Sequence, residues 1–122
     1  MRETRRAALA AAGIDVDEAL ERMMGSEALL ERLLGKFPAD ENYGKLCRAL
    51  DQGDREAAVA ASHALKGVCG NLSMTALFSC FARQVEVLRQ GDLEEAQRLM
   101  GQIAPAYEAA CRAIGGQDDA AR

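Results

Sequence analysis

Apolar residues return at three- and four-residue intervals through most of this 122-residue chain, and that period dictates helices. Leu29, Leu30, Leu33, Leu34 and Phe37 form one stripe, which Tyr43, Leu46, Cys47 and Leu50 resume beyond Pro38. Leu77, Phe81, Val85 and Leu88 form another, and Leu99, Ile103, Tyr107 and Ile114 a last one. Each stripe has to be buried against a neighbour, because a single helix cannot hide its own apolar face. Composition points the same way: aromatics are only 4%, tryptophan is absent, and alanine supplies much of the 49% hydrophobic content. Such a mix favours helix over sheet.

Turn residues divide the stripes. Gly13 separates an alanine-rich leader from a short segment, Asp15 to Met24, with acidic residues at its start and Gly25 at its end. Ser26 is placed to cap the next helix, and Pro38 interrupts it. Asp51-Gln52-Gly53-Asp54 makes a turn, with Asp54 as cap of a segment running from Arg55 to about Leu72. Asn71 is expected to take a left-handed cap conformation, with Ser73 or Thr75 starting the helix that follows. Asp92 caps the last helix, where Pro105 should introduce a bend. Packed in the simplest way, these segments give an all-α fold, an antiparallel four-helix bundle with an additional short N-terminal helix. At 13.1 kDa one domain is expected. Its parts are an N-terminal extension over 1–12, the helical bundle over 13–114, and a flexible C-terminal tail over 115–122.

The net charge is -4 and the arginines are spread among acids, so the basic stripe of a nucleic-acid binder is missing. Cys47, Cys69, Cys80 and Cys111 lie far apart, without C-x-x-C pairs or companion histidines, so no zinc or redox motif is legible. They read as small buried hydrophobes of a reducing compartment. The apolar stretch Ala7 to Ile14 is too short for a membrane span, and a cytoplasmic protein without nucleic-acid or membrane partners is expected. No phosphate-binding glycine loop or nucleotide motif appears, so ATP is not an expected ligand.

His63 is the single histidine of the chain. At about 100° per residue, Val59, Lys66, Gly67 and Gly70 share its face of the helix, whereas Ala61, Leu65, Val68, Cys69 and Leu72 fall opposite. Two glycines inside a helix cost about 1 kcal/mol each relative to alanine. Clearance around the imidazole explains them, because a partner could then press its reactive group against the ring. A neutral imidazole nitrogen can attack phosphorus and hold the group as a labile phosphoramidate. An ammonium one turn away, on Lys66, would draw the oxygens of the transferring group. Whether Gln84 or Glu86 on the following helix reaches the imidazole and orients it is not decided by the sequence, while Met23, Met24, Met74 and Met100 read as core filler.

His63, Leu65, Lys66 and Gly67 meet the H-x-L-K-G signature, with Asn71 and Leu72 following. By these residues the chain resembles the histidine-containing phosphotransfer domains of multistep phosphorelays, from about Gly13 to Ile114. One departure is Ser73, where many members have glycine ten residues after the histidine. The resemblance implies a bundle of four helices with an added N-terminal helix, His63 as the phosphorylated residue through Nε2, Lys66 assisting, and Gly67 giving room.

It further implies a phosphoryl carrier, not an enzyme with its own kinase domain, that receives the group from a receiver-domain aspartyl phosphate and passes it to another receiver's aspartate. The expected partners are response-regulator receiver domains and a hybrid sensor kinase, met by a monomer through His63, Lys66, Gly67, Gly70 and Val59. No cofactor of its own is expected, and magnesium only on the partner receiver. Two rivals share the bundle. One is a module that sequesters a regulator without phosphorylation. The other is the dimerisation domain of a sensor kinase, whose histidine is typically followed by an acidic residue; here Ala64 follows.

Overall fold

The structure, a computed structural model, describes residues 1–116. Seven helices and no strand occupy them: α1 (Glu3–Ala11), α2 (Val16–Arg22), α3 (Glu27–Lys36), α4 (Asn42–Gln52), α5 (Arg55–Asn71), α6 (Thr75–Arg89) and α7 (Leu93–Gly115). The fold is thus an all-helical bundle. The expected interruption at Pro38 is real: α3 stops at Lys36, Phe37 ends it, and α4 begins after a turn in which Asp40 accepts from both the backbone and side-chain amides of Asn42 at 2.8 Å. Pro105 lies inside α7.

Capping follows the expected chemistry at four helix starts. The side chains of Asp15, Ser26, Asp54 and Asp92 each accept from a backbone N–H three residues on, satisfying a donor that has no partner within the helix. The turn between α5 and α6 differs from expectation. Asn71 is the last residue of α5, the left-handed residue is Ser73 with φ 54°, and α6 begins at Thr75 without a side-chain cap. The Ser73 hydroxyl is used elsewhere, accepting from Arg22 Nη2 at 2.7 Å, and its carbonyl accepts the Asp15 N–H at 3.0 Å. Position 73 therefore anchors α2 and does not cap α6.

The packing runs α4 on α5, α5 on α6 and α6 on α7, with α4 also meeting α7. Between them lie Leu46, Leu65, Phe81, Leu88 and Ile103, all fully buried. Each contributes about 1.5–3 kcal/mol by leaving water, so this shared centre outweighs any single cap. Tyr43 stacks on Tyr107 with ring centroids 3.7 Å apart, and Phe37 leans on Tyr107 at 5.2 Å, which ties the α3–α4 break to α7.

Residues 1–12, read from sequence as an extension, form α1 against α7 and α2. Leu9 is fully buried there. Arg5 forks onto Glu31 of α3 at 2.7 and 3.0 Å and donates to the Ala113 carbonyl of α7 at 2.9 Å. At the other end Gly116 closes α7 in the left-handed region; the remainder of the expected tail, 117–122, lies outside the described residues. All four cysteines are free thiols. Cys69 is fully buried and its thiol is pushed up to about 12 by desolvation, while Cys47 and Cys111, half-buried, are raised for the same reason.

Candidate functional site

Midway along α5, His63 stands exposed, and Gly67 beside it is exposed too. Val59, Lys66 and Gly70 are half-buried on the flanks of this face. On the opposite side Ala61, Leu65, Cys69 and Leu72 are buried and Val68 is half-buried, so the helix presents the face that its periodicity implies.

A buried polar link holds that orientation. The Ser62 hydroxyl donates to Gln84 Oε1 at 2.8 Å, and Gln84 Nε2 donates to the Ala96 carbonyl at 3.0 Å and lies 3.3 Å from Met100 Sδ. Ser62 and Gln84 are both fully buried, and no buried side-chain polar atom among the described residues lacks a partner. In a water-poor core each such bond is expensive to break, because the abandoned group keeps its desolvation cost. The link joins α5 to α6 and α7 one residue before His63. Rotation of α5 about its axis would break it, and so the imidazole is held toward solvent.

This arrangement decides the role near the imidazole that the sequence leaves open for Gln84 and Glu86. Gln84 continues the inward stripe of Leu77, Phe81 and Leu88 and points away from the histidine face, while Glu86 is exposed on α6. Among the described residues the His63 ring takes part in no hydrogen bond or ion pair.

The two glycines of the face have different surroundings. A Cβ on Gly67 would meet nothing within 4 Å, so no contact among the described residues requires glycine there. A Cβ on Gly70 would lie 3.3 Å from Cδ1 and Cε1 of Phe78, so this glycine lets an aromatic ring rest on the α5 backbone. Packing accounts for Gly70, whereas no packing contact among the described residues accounts for Gly67.

Phe78 was not legible as a site residue. It lies off the Leu77, Phe81, Val85 and Leu88 stripe, and with Met24 it makes up the large apolar side chains left exposed among the described residues, at 39% and 92%. An aromatic residue one position off a helix's buried stripe is the signal that could have found it. Its ring lies 6.0 Å from Lys66 Nζ. At the foot of the same face is a hollow of about 320 Å³, whose lining includes Arg22, Gly70, Ser73 and Phe78.

Among the described residues no group of three histidine, cysteine or acidic side chains is placed to hold a metal ion, and no helix is long and apolar enough to cross a membrane. Chemically, the face offers an accessible nitrogen nucleophile, a lysine ammonium on the next helical turn and, at Gly67, exposed backbone without a side chain. A search among curated proteins and another among solved structures found no match. The family model of the Hpt domain matches residues 26–113, which takes in everything from the start of α3 to the last turn of α7. Hpt domains are phosphocarriers of two-component phosphorelays, and by this match over most of its length the chain belongs to the Hpt domain family.

Proposed function

We propose that the protein is a histidine phosphotransfer protein of a multistep phosphorelay, with His63 as its phospho-accepting residue. Nε2 of a neutral imidazole attacks the phosphorus of a receiver domain's aspartyl phosphate; a P–N bond forms, and the P–O bond breaks with its electron pair leaving on the receiver carboxylate. The reverse displacement on a second receiver's aspartate returns the imidazole. Lys66 draws the equatorial oxygens during transfer, where positioning and charge compensation do most of the work. Magnesium belongs to the receiver, which supplies the remaining charge compensation.

Gly67, Gly70 and Val59 form the ground on which the receiver lands, in a small and transient contact. The helical core is read as a four-helix antiparallel bundle made of the broken α3–α4 unit, α5, α6 and α7, with α1 and α2 added at the N-terminal side. The carrier works as a cytoplasmic monomer between a hybrid sensor kinase and response regulators. The observation that carries this reading is the exposed His63 ring, without a hydrogen-bond partner among the described residues, beside Gly67, a helix-interior glycine that no contact among those residues requires.

The test is transfer from a radiolabelled, magnesium-loaded receiver domain. Acid-labile, base-stable label on the wild type that is lost in His63→Gln is the expected result. Binding of the receiver without any label favours a sequestering module and overturns the proposal.

A further inference from the structure

We infer that Phe78 is a positioning residue for Lys66, acting through the face of its ring; the inference rests on the phosphocarrier reading above and deepens it. Three observations meet at this ring. It stays exposed on a helix whose other large apolar residues are buried, so burial does not explain its presence. It is seated on the α5 backbone at Gly70, where a methyl group would come within 3.3 Å of two ring carbons. Its face lies 6.0 Å from the ammonium of Lys66, within the range at which the ring quadrupole attracts a cation.

A lysine on a solvent face has four rotatable bonds and spends most of its time dispersed. For the ammonium to help a phosphoryl group on His63, it has to be kept on the side of α5 where Lys66 leaves the helix. Phe78 provides that bias from the neighbouring helix. Gly70 lets the ring approach, and the ring confines the lysine. The three residues form a relay from α6 across α5 to the phospho-accepting face. Because the attraction is modest, the ammonium can still move from the ring to phosphoryl oxygens as charge develops there.

The experiment uses the full chain and a small donor, phosphoramidate, whose P–N bond to ammonia is exchanged for a P–N bond to the imidazole; no partner protein is needed. Labelling rates are measured for wild type, Phe78→Leu, Phe78→Tyr, Lys66→Ala and the Phe78→Leu/Lys66→Ala double variant. In parallel, the proton shifts of the Lys66 side chain report whether it lies over an aromatic ring. The expected result is a loss of about two- to fivefold in Phe78→Leu, the size of an exposed cation–π contact, with recovery in Phe78→Tyr. In the Lys66→Ala background Phe78→Leu is expected to change nothing further, and the upfield shifts of the Lys66 methylenes should vanish in Phe78→Leu alone.

A Phe78→Leu protein that labels like wild type overturns the inference, as does an effect that persists in full without Lys66, or a Lys66 side chain without ring-current shifts. Wild type that takes no label at all overturns the phosphocarrier reading and this inference with it, whereas the other outcomes leave the carrier reading standing.

Discussion

Replacing Gly67 by alanine should separate what the fold wants from what the partner wants. Gly67 lies inside α5, is exposed, and has nothing within 4 Å of the place a Cβ would occupy. Alanine is favoured over glycine in an exposed helix interior by about 0.8–1.0 kcal/mol, so the variant gains roughly that much stability. For a domain of this length that corresponds to a rise of about 4 °C in the thermal midpoint. Gly70→Ala gains less or loses, because the same methyl would press on Phe78 at 3.3 Å.

The functional half of the experiment needs a bulkier side chain beside the ring, as in Gly67→Gln. Phosphoramidate is small and should label His63 in that variant at the wild-type rate. A receiver domain has to bring its whole active pocket over α5, and its transfer to Gly67→Gln should fall at least about tenfold, the effect of roughly 1.4 kcal/mol of lost docking. Urea unfolding and calorimetry read the first half, radiolabel transfer the second. A Gly67→Ala protein less stable than wild type would refute the premise that the chain itself has no use for glycine there. Receiver transfer to Gly67→Gln at full rate would refute the premise that a partner does.

Gln84→Leu should cost about 1–3 kcal/mol, because it strands the buried Ser62 hydroxyl, and Ser62→Ala in the same chain should return part of that loss; denaturant titration measures both. Ser73→Gly relieves a left-handed φ of 54° but removes one of two acceptors of Arg22, Glu18 being the other, so comparison with Arg22→Ala and the double variant, by thermal melts, should show relief of about 1 kcal/mol once the Arg22–Ser73 hydrogen bond is already gone. The Glu31 carboxyl is held below the usual carboxylate range first by the hydrogen bonds from Arg5 and then by its charge, against the opposing effect of burial. A depressed folded-state value means that this contribution is present above the unfolded carboxylate range and is lost as pH falls through the folded value. Glu31→Gln should therefore cost up to about 1 kcal/mol near neutral pH and nothing once wild-type Glu31 is itself protonated, as chemical unfolding across that range would show. Cys69, buried and with its thiol raised to about 12, should resist alkylation in the native protein and react only on unfolding, which a timed iodoacetamide reaction checks.

Periodicity revealed the helices because burial on one face leaves a mark on every third or fourth residue, and the caps at Ser26, Asp54 and Asp92 were readable because a short polar side chain before an apolar run has few other uses. The histidine face was readable for the same reason: the apolar residues opposite it fixed where His63 would point. The left-handed residue was misplaced because Asn71 and Ser73 can both take that conformation, and the choice is made by Arg22 and Asp15, which are distant in sequence. The place of Gln84 stayed open because its polar side chain gives no sign of which face it takes. Its partner Ser62 and the Ala96 carbonyl make an inward position affordable, and neither pairing is visible until the helices are packed. Gly70 posed the same difficulty in reverse, since its reason is a ring on another helix.

The most direct measurement is the intact mass of the protein after incubation with phosphoramidate, followed by peptide mapping under alkaline conditions. One phosphoryl group on the peptide containing His63, absent after acid treatment and absent in His63→Gln, is the expected result. An unmodified protein, or a group found on any other residue, would contradict the assignment of His63 as the phospho-accepting side chain.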